Sequence, residues 1–229
     1  SDKYPEENGL WKHVLDNGGS MNAYTAADKT VYMFSINHDA FEEGLDRFGH
    51  FFIDPLFDKN GIDRELKAVD QEHSKNIEHD GWRMYMVLKE TGNPNHPNSK
   101  FSTGNASTLG EIPRDELINW YKTNYSADHM HLVVYSNKPL EELTQYVTTT
   151  FSDVPIVPTQ YKYHEKLFSE TQEGQLIQIK PIRDARTLSL MWEIPIHFVE
   201  DIETQCPNLI AYTLNCGGDY SLFEQLKRE

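Results

Sequence analysis

Residues 20–52 read SMNAYTAADKTVYMFSINHDAFEEGLDRFGHFF, and this stretch decides the fold class. Two runs rich in β-branched and aromatic types, 20–25 (SMNAYT) and 30–36 (TVYMFSI), flank the polar AADK, which suits a hairpin connection. Directly after them Phe41, Leu45, Phe48 and Phe52 recur at helical spacing, so 39–52 predicts an amphipathic helix that closes before Pro55. A hairpin followed by a helix that needs to bury one stripe calls for an α+β fold, with a mainly antiparallel sheet backed by helices.

The same alternation extends outward. Upstream, PEENGLWKHVLDN (5–17) predicts a helix with Pro5 in its first turn and Gly18-Gly19 as the stop. Downstream, 60–90 is the longest helical stretch, with Ile62, Leu66 and Val69 on one stripe, Trp82, Tyr85 and Leu88 on a later one, and a break at Gly81. Residues 91–110 (TGNPNHPNSKFSTGNASTLG) have almost no periodicity and read as a long ordered loop, of a length usually tied to function or motion. Beyond it the pattern predicts helices at 114–124, 139–151, 202–214 and 220–228, a Pro-containing connector at 154–158, and strands at 131–136, 175–180 and 187–194. One domain over residues 1–229 is the expectation, with two smaller ones as the alternative.

Composition narrows the function classes. The 229 residues are 38% apolar and 12% aromatic, enough for a packed core. Acidic residues outnumber basic ones 36 to 21, a formal net charge of −15, which repels phosphate backbones, so nucleic acid is not an expected partner. No apolar run approaches the roughly 18 residues needed to cross a bilayer, so no membrane partner is expected either. The two cysteines, Cys206 and Cys216, form neither a disulfide framework nor a C-x-x-C metal site. Cytoplasmic and periplasmic locations both remain open.

The most informative chemistry lies in RELKAVDQEHSKN (64–76). Glu65 and Glu72 are two helical turns apart, so both carboxylates project from nearly one face. One could bind a metal while the other orients a neighbouring ligand, whereas the plainer reading is a solvated helix face. His73 follows Glu72 and points about 100° away round the helix, and His79 lies across the approach to Gly81, so both read as surface or satisfied histidines rather than ligands. The chain contains no H-E-x-x-H, H-x-x-E-H, G-x-S-x-G, Walker A loop or G-x-G-x-x-G.

A string of motifs then carries a resemblance. KYPEENGLWKHV (3–14), GGSMNAYTAADKT (18–30), LDRFGHFFIDPLFD (45–58), RELKAVDQEHSKN (64–76), TGNPNHPNSKFSTGN (91–105) and VYSNKPLEEL (134–143) follow one another across the first 150 residues. In that order they resemble the insulinase/pitrilysin family of inverted zinc peptidases, and residues 151–229 resemble the rest of that family's first domain more loosely. The resemblance implies a zinc metalloendopeptidase acting on peptides or small proteins. In such enzymes an H-x-x-E-H helix gives two zinc histidines and a general-base glutamate, and a downstream glutamate completes the site. Glu72 matches that downstream glutamate as the metal ligand, and Glu65 matches the acidic residue that supports the site. By the family's spacing the histidine helix falls just upstream of Ser1, so the resemblance implies that zinc belongs to the full-length enzyme and is not held tightly by this chain. Zinc lowers the pKa of its bound water toward about 7 while the base takes the proton, so this chain alone is expected to be inactive.

The resemblance also suggests substrate contacts. Ser20 to Thr25 resembles the family's edge strand, to which a peptide adds through backbone hydrogen bonds, with Asn22 and Ala23 as the chosen residues; an ordinary hairpin strand is the alternative. Trp82, Tyr85 and Thr103 resemble positions beside the scissile bond, although an aromatic pair at i, i+3 also suits core packing. CGGDYSLFEQLKRE (216–229) resembles a glycine-bearing strand and helix but departs from the usual run at Gly218, Asp219 and Tyr220, so no exosite role is assigned to it. The implied partners are a peptide substrate, the enzyme's own upstream segment and its second half. A domain without its first strands and helix is also expected to expose apolar area and to favour a homodimer. Two other functions stay open: a non-catalytic partner or scaffold subunit of this family, and a peptide-binding module.

Overall fold

Strands β1 (Ser20–Thr25) and β2 (Thr30–Ser35) pair antiparallel, from Ser20 opposite Ser35 to Thr25 opposite Thr30. The computed structural model describes residues 1–110, 112–158, 166–218 and 221–228. The chain divides into two compact units, Ser1–Glu165 and Lys166–Glu229.

In the first unit, helix α1 (Gly9–Asp16) precedes the hairpin and buries Val14 completely. It starts later than periodicity suggests because Asn8 takes a left-handed conformation (φ 57°), which no helical turn can absorb. Helix α2 (Phe41–Ile53) follows the hairpin and buries Phe41, Leu45 and Phe48. Its aromatic stripe meets the hairpin: Phe48 lies 5.0 Å from Phe34, and Phe52 lies 5.4 Å from Tyr32, ring centre to ring centre. Each buried Phe or Leu contributes about 1.5–3 kcal/mol. Helix α7 (Leu140–Phe151) closes this layer against α2. The approach needs Gly49, where a Cβ would come within 2.6 Å of the Thr150 methyl. Lys138 bridges Glu42 of α2 and Glu142 of α7 at 3.1 and 2.5 Å.

Helices α3 (Lys59–Asn76) and α4 (Asp80–Thr91) come from the single long helical stretch. The break falls at residues 77–79, ahead of Gly81, because His79 adopts an extended conformation as the N-cap of α4. The 91–110 region is ordered as expected, with a short 3-10 turn (Pro97–Ser99) and a one-turn helix, α5 (Ala106–Leu109), inside it. Helix α6 (Arg114–Asn124) returns to the α2 side, where the Tyr121 hydroxyl donates to the Phe52 carbonyl at 2.8 Å. Ser126 is buried; its hydroxyl bonds Asp128 and accepts from the Val157 amide at 2.7 Å, which fixes the 154–158 connector.

The second unit carries α8 (Ile196–Val199), α9 (Cys206–Asn215) and α10 (Leu222–Arg228). Helix α9 starts four residues later than expected because Gln205 sits in a left-handed conformation (φ 47°). Tyr220, the expected start of the last helix, lies with Asp219 outside the described residues.

The fold is α+β, with a small two-stranded antiparallel sheet. The strands expected at 131–136, 175–180 and 187–194 are not strands. Their β-rich composition is real, but a strand exists only where a ladder satisfies its backbone, and none of these segments has such a partner among the described residues. Val133 and Tyr135 stand 89% and 97% exposed, so one alternate face of 131–136 is open to solvent.

Candidate functional site

The site is built on α3. Asp58 caps it by accepting from the Gly61 amide at 2.9 Å, and an Arg64–Glu7 ion pair anchors its first turns to the segment before α1. None of its residues is buried, so its register is visible to solvent along its length. Glu65 and Glu72 fall on one face, about 10 Å apart along the axis at 1.5 Å per residue. Both are exposed, and among the described residues neither carboxylate has a hydrogen-bond or ion-pair partner. Two aligned, unspent carboxylates are oxygen donors available to a cation or to a ligand of one.

His73 differs from its expected surface or satisfied state. It is half-buried, its Nδ1 is buried without a hydrogen-bond partner among the described residues, and its ring meets Phe101 edge-on at 5.2 Å. Phe101 belongs to the 91–110 region, so the contact is tertiary and no local pattern announces it. His79 is exposed at the start of α4.

Trp82 and Tyr85 lie side by side on α4, rings 5.6 Å apart. Trp82 is half-buried and its indole Nε1 is buried without an acceptor among the described residues, while Tyr85 is 39% exposed. This pair is therefore a partly open surface rather than core. Behind it, Lys89 is buried with its ammonium 3.4 Å from the Tyr85 hydroxyl, a residue that sequence reasoning passed over. Buried lysines are rare, but nothing in a helical pattern marks one.

Thr103 is half-buried in the loop between Phe101 and α5. The next residue, Gly104, has φ +82°, and a Cβ there would fall 2.2 Å from the Leu109 side chain, so only glycine permits this fold-back. Asn22 and Ala23 are exposed on β1, and the Asn22 side chain accepts from the Ala23 amide at 2.9 Å. β1 pairs only with β2 among the described residues, so its other edge is unladdered.

The structure thus places Glu65 and Glu72 on α3, Trp82 and Tyr85 together on α4, Thr103 in the loop between α4 and α6, and Asn22 and Ala23 on the hairpin. Among the described residues, no group of three or more His, Cys, Asp or Glu converges to hold a metal ion. For zinc, which takes three or four converging ligands, the donor set described here is insufficient, and Glu72 could supply only one of them. No helix among the described residues is long and apolar enough to cross a membrane.

Two family models match the chain. Insulinase (Peptidase family M16) covers residues 1–95, and Peptidase M16 inactive domain covers residues 111–228. The chain is 36% identical over 239 residues to the A-factor-processing enzyme of Saccharomyces cerevisiae, an alignment spanning 100% of this chain and 23% of that protein. It is 42% identical over 195 residues to insulin-degrading enzyme of Homo sapiens, covering 81% of this chain and 19% of the relative. Among solved structures it resembles crystalline pitrilysin with a TM-score of 0.71 and 37% identity, over 75% of this chain and 19% of that one. The chain spans about a quarter or less of the length of these relatives.

Proposed function

Because this chain belongs to the insulinase (M16) peptidase family, we propose that the protein carrying it is a zinc-dependent metalloendopeptidase of peptides or small proteins. In this reading Glu72 is the metal ligand that this chain contributes, and Glu65, two turns earlier on the same face, supports the site. The remaining donors and the general base come from outside the residues described here. The isolated chain holds no tight zinc and is inactive.

The observation that carries the reading is the pair of aligned, exposed carboxylates on α3, which have no partner among the described residues. An exposed glutamate on a solvated face is ordinarily free to pair with nearby lysines; Glu72 has Lys75 at i+3 and makes no such pair. The unladdered edge of β1 supports peptide capture by strand addition, with Asn22 and Ala23 on the added-strand edge. Trp82, Tyr85 and Thr103 form a surface for a substrate side chain, with aromatic area supplied by the first two. As to partners, the open apolar residues Val133, Tyr135 and Leu140 support self-association of the isolated chain, which a monomer by light scattering excludes.

The test uses the full-length protein and an unstructured peptide. Cleavage should stop on chelation and return on adding zinc. Chelator-resistant cleavage, or a zinc-loaded protein that cleaves no peptide tried, defeats the reading; the second outcome favours a scaffold subunit.

A further inference from the structure

We propose that Asp70 is a positioning residue that staples the loop between α4 and α6 to α3, and so sets the place of Thr103 in the substrate surface. This rests on the reading of Thr103 given above.

Among the described residues, an Asp70 hydrogen bond and a His73 ring contact cross from α3 to the loop, leaving α3 on either side of Glu72 in sequence. Asp70 Oδ1 accepts from the Ala106 amide at 2.7 Å. His73, one turn on, packs its ring on Phe101. Residues 70 and 73 share a helix face, so the loop is gripped at both ends of its 101–106 stretch, which contains Thr103.

The Asp70 contact falls on a backbone group that needs it. Ala106 is the first residue of α5, and the first amides of a helix have no partner within it. Asn105 caps the Thr108 amide at 3.0 Å, and Thr108 returns the bond to the Asn105 amide at 2.9 Å. Asp70, 36 residues away in sequence, takes the Ala106 amide. The capping is thus completed from α3, and the bond is assisted by the charge of the carboxylate. Inside the loop, Gly104 folds the chain back onto Leu109 and His96 Nδ1 accepts from the Asn98 amide at 3.0 Å, so the loop is internally ordered and can transmit a fixed register.

Two substitutions remove the bond from opposite ends. Asp70→Ala deletes the acceptor. Ala106→Pro deletes the donor while keeping α5, since proline is favoured at the first helical position and Asn105 is already extended (φ −158°). Asp70→Asn keeps an oxygen acceptor.

In amide hydrogen exchange, Asp70→Ala and Ala106→Pro should each speed exchange over residues 101–110 by about tenfold. The hairpin at 20–35 should be unchanged, Asp70→Asn should stay near the wild type, and the double variant should be no looser than either single one. Unchanged exchange at 101–110, or equal loosening of the hairpin, overturns the staple. In the full-length protein, Asp70→Ala should raise KM for peptide several-fold more than it lowers kcat, with Asp70→Asn restoring most of the loss. A loosened loop with wild-type KM overturns the positioning role alone, and this outcome is distinct from failure of the zinc-peptidase reading, in which no variant or wild type cleaves.

Discussion

Helices α2 and α3 lie next to each other in the chain and are held by different physics. α2 buries an aromatic and aliphatic stripe between the hairpin and α7, whereas α3, although five residues longer, has half-buried residues but none fully buried. Its place is kept by polar devices: the Asp58 cap, the Arg64–Glu7 pair and the Asp70–Ala106 bond. A helix with a buried stripe has spent its faces on stability. A helix pinned at a few points keeps a whole face for chemistry, and this is the helix that presents Glu65 and Glu72.

Core truncation should separate the two most strongly. Phe48→Ala in α2 should cost about 3–5 kcal/mol, against less than about 1 kcal/mol for Leu66→Ala on α3, read by urea denaturation. Equal losses would erase the distinction. Next in size is the cap: Asp58→Ala should cost about 1 kcal/mol, with faster amide exchange in the first turns of α3 and none in α2. Loss of protection in both helices would mean that they unfold as one element.

The α2 side also carries an acid-sensitive contribution. Burial pushes the Asp46 carboxyl up, but hydrogen bonds from Lys3 and Tyr4 outweigh it and leave it below its ordinary value; burial likewise raises Asp54, and His50 with the Asp2 amide brings it down. The same pairing and burial push the Tyr4 hydroxyl up to about 12. Carboxyls held below their unfolded value of about 3.9 stabilise fully above it, and the contribution disappears as pH falls through the folded values. Asp46→Asn should therefore cost about 0.5–1 kcal/mol at pH 7, and that cost should shrink toward nothing as pH falls through the lowered folded value of Asp46. A pH-independent cost would assign Asp46 a packing role instead.

The contrast also explains what could be read in the sequence. The hairpin and α2 were legible because burial writes period-two and helical patterns into local residues, as Tyr32, Phe34, Phe48 and Phe52 do. The alignment of Glu65 with Glu72 was legible because helix geometry alone sets it. The segments 131–136, 175–180 and 187–194 misled because Val, Ile and Leu content signals a fit to a sheet without supplying a partner strand. The grip of Asp70 on Ala106 and of His73 on Phe101 left no trace, since each joins residues from distant parts of the chain and leaves no period behind. The break at residues 77–79 was displaced from Gly81 because an extended His79, not a flexible glycine, ends the helical run.

The most direct test of the central claim is the zinc content of the full-length protein carrying Glu72→Gln, beside Glu65→Gln and the wild type. Glu72→Gln should lose bound zinc and peptide cleavage together, while Glu65→Gln should keep a site weakened by about 10–100-fold. A Glu72→Gln protein that retains one zinc at wild-type affinity would contradict the assignment of Glu72 as a metal ligand.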